Sequence, residues 1–256
     1  MGSLASGGGA ATDRQDLPSA RVAMPLDSLW MKEFSPRTDI LPAAQLRLWR
    51  ELSAVPDEFV LYGGTAIALH LGHRTSIDFD FFGGRSLNLE ALEGNIPFLR
   101  DAKIIQREKN TLTAIVDRGE PVKVSFFGVP KLPRLVQPHA VKENNLKIAS
   151  LLDLAGTKAS VIQVRAEAKD YLDMDAVLTS GKIDLSTALS AAQLLYGPSF
   201  NPEVTLKALS FFDDGNLQDL PEDLKQRLVD AVRQVDLDHL PALDRNPFDD
   251  DYGQEI

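Results

Sequence analysis

The sequence predicts an α+β fold: a mixed sheet with flanking helices, followed by an all-helical half. Three observations predict it. Short apolar runs broken by Gly, Asp and Pro lie between residues 58 and 127, and one of them, 77–82, alternates strictly. From about Ser150 the apolar spacing becomes helical and stays so to Val235. A stretch bounded by Pro130 and Pro138 separates the two regimes. The expected organisation is a tail and extension over 1–38, an α/β domain over 39–145, a helical domain over 146–235 and an acidic tail over 236–256.

The elements follow in order. Residues 43–55 read as a helix, with Ala44, Leu48, Leu52 and Val55 at helical spacing. A short strand over 58–62 is broken by Gly63-Gly64, and 65–71 reads as a helix. After a loop over 72–76, the strand 77–82 is expected to place Ile77, Phe79 and Phe81 on one face and Asp78 and Asp80 on the other. Two more strands, 111–116 and 122–127, flank the turn Asp117-Arg118-Gly119-Glu120-Pro121. Ser150 with Asp153 resembles a capping box with Asp in place of Glu. Helix is expected over 151–178 with one break near Ala166, then over 185–196, 202–212 and 221–235. Asn201 is the expected cap of the third of these, with Pro202 at its first position. The chain has no internal repeat.

Composition narrows the function. The 256 residues are 44% hydrophobic, enough for a buried core. There is no cysteine, which excludes disulfides, thiolate metal sites and a thiol nucleophile. No apolar stretch approaches the roughly 20 residues that span a bilayer, and the Gly/Ser/Ala-rich start has no signal-peptide pattern. A soluble, cytoplasmic protein without membrane partners is expected. The net charge of −10 argues against a broad nucleic-acid-binding surface. The charge is uneven, however: residues 236–256 hold seven acids and one base, Arg245, so the body carries only −4 and leaves room for a local basic site.

The chemistry concentrates in two blocks. In the first, a strand runs into Gly63-Gly64-Thr65 where a helix begins. Glycine lets backbone approach a phosphate, the first N–H groups of a helix lack internal partners, and Thr65 can add a hydroxyl. Downstream, Asp78 and Asp80 share one face of a strand. Two adjacent carboxylates repel unless a cation lies between them, and such hard oxygen donors suit Mg²⁺, with Mn²⁺ also meeting the donor set. Arg74 and Ser76 stand just before them, placed to hold a triphosphate tail. In the second block, Lys158, Arg165 and Lys169 are expected within one helix face, where three cations need an anion. Asp170 and Asp173 are either cap and surface acids or groups that point into a cleft. His70 and His73 read as core or surface residues rather than a zinc pair, and Phe81-Phe82 and Phe126-Phe127 as sheet core.

The run from Gly63-Gly64-Thr65-Ala66 through Gly72-His73-Arg74-Thr75-Ser76-Ile77-Asp78-Phe79-Asp80-Phe81-Phe82 resembles the signature of AbiEii-type nucleotidyltransferases, in the DNA polymerase β-like superfamily. Thr157-Lys158, Arg165, Lys169-Asp170 and Asp173 resemble that family's helical motif. The resemblance covers about residues 58–180 well. It implies a polymerase β-like sheet and a helical domain cupping a nucleotide, and a metal-dependent transfer of NMP from a nucleoside triphosphate. Asp78 and Asp80 would hold the metal; Gly63, Gly64, Thr65, Arg74, Ser76, Lys158, Arg165 and Lys169 would bind the nucleotide. It further implies an RNA acceptor, the 3′ end of tRNA above all, an antitoxin as partner, and action as the toxin of a toxin–antitoxin or phage-defence system.

One departure stands out. Polymerase β-like enzymes place a third carboxylate on a neighbouring strand, and alternation puts Ser125 there. Serine neither binds Mg²⁺ strongly nor acts as an effective base at neutral pH. Asp170 is therefore the expected substitute, as base, alongside Asp78, Asp80 and Lys158 as catalytic residues. The rival readings are nucleotide transfer to a protein or small molecule, and a catalytically weak nucleotide-binding module.

Overall fold

The computed structural model of the chain describes residues 34–130 and 132–243. The Gly-rich start, the apolar pieces around Leu26 and Trp30 and the acidic run from Asp244 onward lie outside the described residues. Strands β1 (Phe59–Tyr62), β2 (Asp78–Gly83), β3 (Lys103–Glu108), β4 (Thr111–Asp117), β5 (Pro121–Gly128), β6 (His139–Ala140) and β7 (Lys147–Ile148) form one mixed sheet. Its order is β3-β4-β5-β2-β1-β7-β6, with β2 parallel to β5, β1 parallel to β7 and the other pairs antiparallel. Helices α1 (Ala43–Trp49), α2 (Gly63–Leu71) and α3 (Leu89–Asn95) accompany the sheet. Helices α4 (Leu151–Ile162), α5 (Ala168–Thr179), α6 (Leu185–Tyr196), α7 (Pro202–Ala208) and α8 (Glu222–Arg233) form the second half. The α+β class is as expected from the sequence.

Alternation in β2 sets the plan of the molecule. Phe79 and Phe81 are fully buried, and Phe81 stacks on Phe126 of β5 at 5.2 Å. The opposite face carries Asp78, Asp80 and Phe82, all half-buried. The strand begins one residue later than expected: Ile77 is 56% exposed and does not join the core face. Its carbonyl instead accepts a hydrogen bond from the Gln45 amide of α1. The sequence reading passed over β3, α3 and the two-residue strands β6 and β7. The edge strand β3 is almost wholly exposed, so it shows no apolar alternation, and α3 spans seven residues, under two turns. The sheet also runs on to Ile148, through the short strand β7 beside β1.

The helical half follows from its caps and one close crossing. The Ser150 hydroxyl accepts the Asp153 N–H, starting α4 as the capping pattern predicts. The expected break near Ala166 is the connection between α4 and α5, and α6 matches its expected bounds. Asn201 caps α7, which ends at Ala208 rather than Phe212. Nine of the twelve residues of α4 are buried, so this helix runs through the molecule rather than along its surface. It crosses α6 at Gly156, where an added Cβ would lie 3.0 Å from the Ala191 and Ala192 backbone. Gly156→Val should therefore cost about 1–3 kcal/mol of stability, the usual penalty for overpacking, in urea unfolding. An unchanged midpoint would show that the crossing is looser than the structure shows.

Candidate active site

A cleft of about 840 Å³ opens between the sheet and the α4–α5 pair, a size typical of small-molecule sites. Every candidate residue singled out from the sequence lines it. Five basic and four acidic side chains face it, so the cleft is slightly positive in a chain of net charge −10. That is the local basic site for which the uneven charge left room.

On the floor, β2 presents Asp78 and Asp80, and parallel pairing sets Lys123 beside Asp78 and Ser125 beside Asp80. Ser125 thus occupies the place predicted for a third carboxylate. Its hydroxyl donates to Asp80. Burial raises the Asp80 carboxyl above its ordinary value, opposed by the Ser125 hydrogen bond and the Lys123 charge. The sequence reading missed Lys123, whose Nζ lies 3.0 Å from Asp78 Oδ2. It was legible: alternation places it on the same face as Ser125. Among the described residues no three His, Asp or Glu side chains gather to hold a metal unaided. Mg²⁺ does not require that, since one or two carboxylates with substrate phosphates and water complete its shell. The buried Asp80 charge, short of a full counter-charge, fits a cation of this kind.

One wall is the start of α2. The helix begins at Gly63, two residues earlier than expected, so Gly63, Gly64 and Thr65 supply first-turn N–H groups. Both glycines have a steric reason. Gly63 has φ +75°, and a Cβ there would lie 3.2 Å from Asp80 Oδ2; a Cβ on Gly64 would lie 2.2 Å from the Arg74 guanidinium. The Thr65 and Ser76 hydroxyls do not face outward as anticipated. Both are buried; they bond each other at 2.7 Å, and Thr65 donates to the Asp78 carbonyl. They latch α2 to the start of β2 and so fix the dicarboxylate beneath the helix start.

The other wall is an ionic cluster. Lys158 Nζ of α4 lies 2.6 Å from Asp170 and 2.9 Å from Asp173, both on α5 and both fully buried. Asp173 also accepts Arg74 Nε at 2.7 Å and His73 Nε2 at 2.8 Å from the loop before β2. Asp170 accepts Arg165 Nε at 2.7 Å. Burial alone would raise both carboxyls; the hydrogen bonds from Arg165 to Asp170 and from His73 and Arg74 to Asp173, with the Lys158 charge, hold both below the usual range. Three expectations change here. Lys158, Arg165 and Lys169 do not share one helix face, because Arg165 lies in the connection between α4 and α5; Lys158 and Arg165 meet at Asp170, and Lys169 lines the same cleft while paired with Glu167. Arg74 is engaged by Asp173 before any ligand arrives. Asp170 is ionised, but its oxygens are taken up by Lys158 and Arg165, and its lowered pKa makes it a weak proton acceptor. Glu167 pairs with Lys169 and Arg165, whereas Asp153 turns inward to accept the Leu135 and Val136 N–H groups. His70 is half-buried and bonded to the Ala149 carbonyl.

These electrostatics separate the two carboxylates. Because the folded-state pKa of Asp80 is raised, its charge is a cost to the folded protein above the usual carboxylate range, absent at low pH. Without divalent ions at pH 7, Asp80→Asn should raise Tm, by about 2–4 °C for each kcal/mol relieved, and the gain should vanish near pH 3. Asp78→Asn, which gives up the partly exposed Lys123 pair, should change Tm little. The opposite ranking in a calorimetric scan would contradict this assignment of the two charges.

Comparison with known proteins agrees with the geometry. The chain is 28% identical over 171 residues to an uncharacterized protein of Aquifex aeolicus (strain VF5), covering 66% of this chain and 80% of that one. Its fold is similar to that of MenT4, a nucleotidyltransferase toxin from Mycobacterium tuberculosis H37Rv, with TM-score 0.52 and 14% identity over 76% of this chain and 83% of that one. The model of the nucleotidyl transferase AbiEii toxin family, of type IV toxin–antitoxin systems, matches residues 47–250. With that match over most of its length, and a strand-borne dicarboxylate facing a cation-lined helical wall, the chain belongs to the AbiEii nucleotidyltransferase toxin family.

Proposed function

We propose that the protein transfers a nucleoside monophosphate from a nucleoside triphosphate to a hydroxyl of RNA, with the 3′ end of tRNA as the expected acceptor, and that an antitoxin restrains it in the cytoplasm. The observation that carries this reading is the opposition of charges across one cleft: Asp78 and Asp80 on the floor, Lys158, Arg165 and Lys169 on the wall. Asp78 and Asp80 would hold Mg²⁺ or Mn²⁺, which when bound stabilises charge on the entering and leaving oxygens. The first-turn N–H groups of α2 and the cations of the wall bind the triphosphate tail. Asp170 and Asp173 keep Lys158 aimed at that tail, and Arg74 stays beside it through Asp173. The acceptor oxygen forms a bond to the α-phosphorus in line as the bond to the β-phosphate bridge breaks. Pyrophosphate leaves with the electron pair, and the hydroxyl proton passes to water at the open mouth of the cleft. No side chain of the chain needs to serve as the base, in keeping with Ser125 and a saturated Asp170.

Incubation with each α-labelled nucleoside triphosphate and total RNA tests the proposal. Label should appear on RNA, and Asp78→Asn or Asp80→Asn should abolish it while leaving the fold intact. Lys158→Met should weaken nucleotide binding about ten- to a hundredfold, the worth of a charge-assisted hydrogen bond. The pairing of Asp78 with Lys123 and the serine beside Asp80 favour one rival, a binding module. Nucleotide binding without transfer to any acceptor would establish that rival, and label on protein would move the acceptor class.

A further inference from the structure

Beyond the dicarboxylate, the cleft floor continues across the sheet in register. Asp80 of β2 pairs with Ser125 of β5, Ser125 with Thr113 of β4, and Thr113 with Gln106 of β3. These four polar side chains therefore form a row, and all line the cleft. At about 4.8 Å per strand, Thr113 stands about 10 Å from Asp80. The next row along the strands pairs Phe82 with Phe127, whose rings lie 4.8 Å apart. Neither phenylalanine is fully buried, and both face the cleft. Of the two Phe-Phe pairs expected in the sheet core, only Phe81 and Phe126 are fully buried there.

The edge strand adds a built feature. Register slips in β3 between Ile104 and Gln106, leaving Ile105 as the extra residue of a bulge. Bulges re-aim side chains, and this one turns Ile105 into the cleft while leaving it 51% exposed. Val164 of the α4–α5 connection also lines the cleft, 81% exposed. Of the seven large apolar side chains most exposed among the described residues, three (Ile77, Ile105 and Val164) line this one cleft. Apolar exposure gathered in one place marks a binding surface rather than scatter.

We infer that this strip is a nucleoside subsite: the aromatic pair and the apolar rim of Ile105 and Val164 take the flat base, and the row of Thr113 and Gln106 hydrogen-bonds its edge or the sugar hydroxyls. The inference rests on the proposed function and deepens it. A base offers two apolar faces and a polar edge, and the strip offers aromatic rings beside a polar row. Gln106 Nε2 donates to the exposed Glu108 at 2.9 Å, which leaves the Gln106 amide oxygen to accept. The nucleoside comes either from the triphosphate or from the end of the acceptor, since both adjoin the phosphorus over the dicarboxylate.

Calorimetric titration separates these sources. The probes are non-hydrolysable α,β-methylene triphosphates of the four bases, inorganic tripolyphosphate, and a ribodinucleotide with a free 3′ hydroxyl added to analogue-saturated protein. The variants are Thr113→Val, which keeps the shape and removes the hydroxyl, Gln106→Leu and the exposed Ile105→Ser. A loss of about fivefold or more in triphosphate analogue affinity, uneven among the bases and with tripolyphosphate unchanged, supports the inference with the triphosphate as source. The same loss confined to the dinucleotide supports it with the acceptor as source. Unchanged affinity for every nucleoside probe in all three folded variants overturns it. Failure of wild-type protein to bind either tripolyphosphate or analogue overturns the proposed function itself, a distinct result.

Discussion

Everything in the cleft depends on two buried carboxylates, Asp170 and Asp173, one helical turn apart on α5. Neither has any exposed surface, and between them they hold Lys158, Arg165, Arg74 and His73. A charge without solvent is tolerated only when paired and hydrogen-bonded; removing one partner of such a cluster costs about 3–5 kcal/mol. The pairing spans the molecule, because Arg74 and His73 precede the dicarboxylate strand whereas Lys158 and Arg165 belong to the helical half. The cluster is therefore the seam between the halves and, under the proposed function, the device that holds cations near the triphosphate. Both carboxyls sit below the usual range, so this contribution is complete above about pH 4 and is lost only as pH falls through the depressed folded values.

The opposite sign of field lies across the cleft. Asp80 is driven the other way, its charged form disfavoured by burial, and it faces a wall already rich in cations. The fold separates two environments: an acid cluster satisfied by several protein cations, and an acid pair in which, among the described residues, only Asp78 has a cation at contact distance, Lys123. Thr65, Ser76 and the steric limits at Gly63 and Gly64 keep this difference fixed by tying the start of α2 to β2. A larger residue at Gly64 would strike the very guanidinium that Asp173 holds.

How much of this could be read from the sequence follows from the range of the forces involved. Strict alternation in β2, the Ser150 and Asn201 caps and the place of Ser125 are local, and each was legible. Strand β3 was not, because an exposed edge strand carries no burial pattern, and its bulge at Ile105 exists only against β4. The site residues were legible as a group but not in their pairings. Nothing near Arg74 in the chain announces Asp173, 99 positions away. Likewise the helical spacing of Lys158, Arg165 and Lys169 suggested one face, when the break between α4 and α5 brings them together by tertiary packing. The role expected for Asp170 changed for the same reason: its partners, not its position, decide whether it can accept a proton.

The most direct test is a double-mutant cycle on nucleotide affinity, built from Asp173→Asn and Lys158→Met and read with a non-hydrolysable triphosphate analogue. If Asp173 acts by holding Lys158 towards the phosphates, each single variant removes much of the same interaction. The double variant should then bind at least about fivefold more tightly than the product of the single losses, a coupling of about 1 kcal/mol. Strictly additive losses, in variants that remain folded, would contradict the account by showing that Asp173 and Lys158 act on the nucleotide independently.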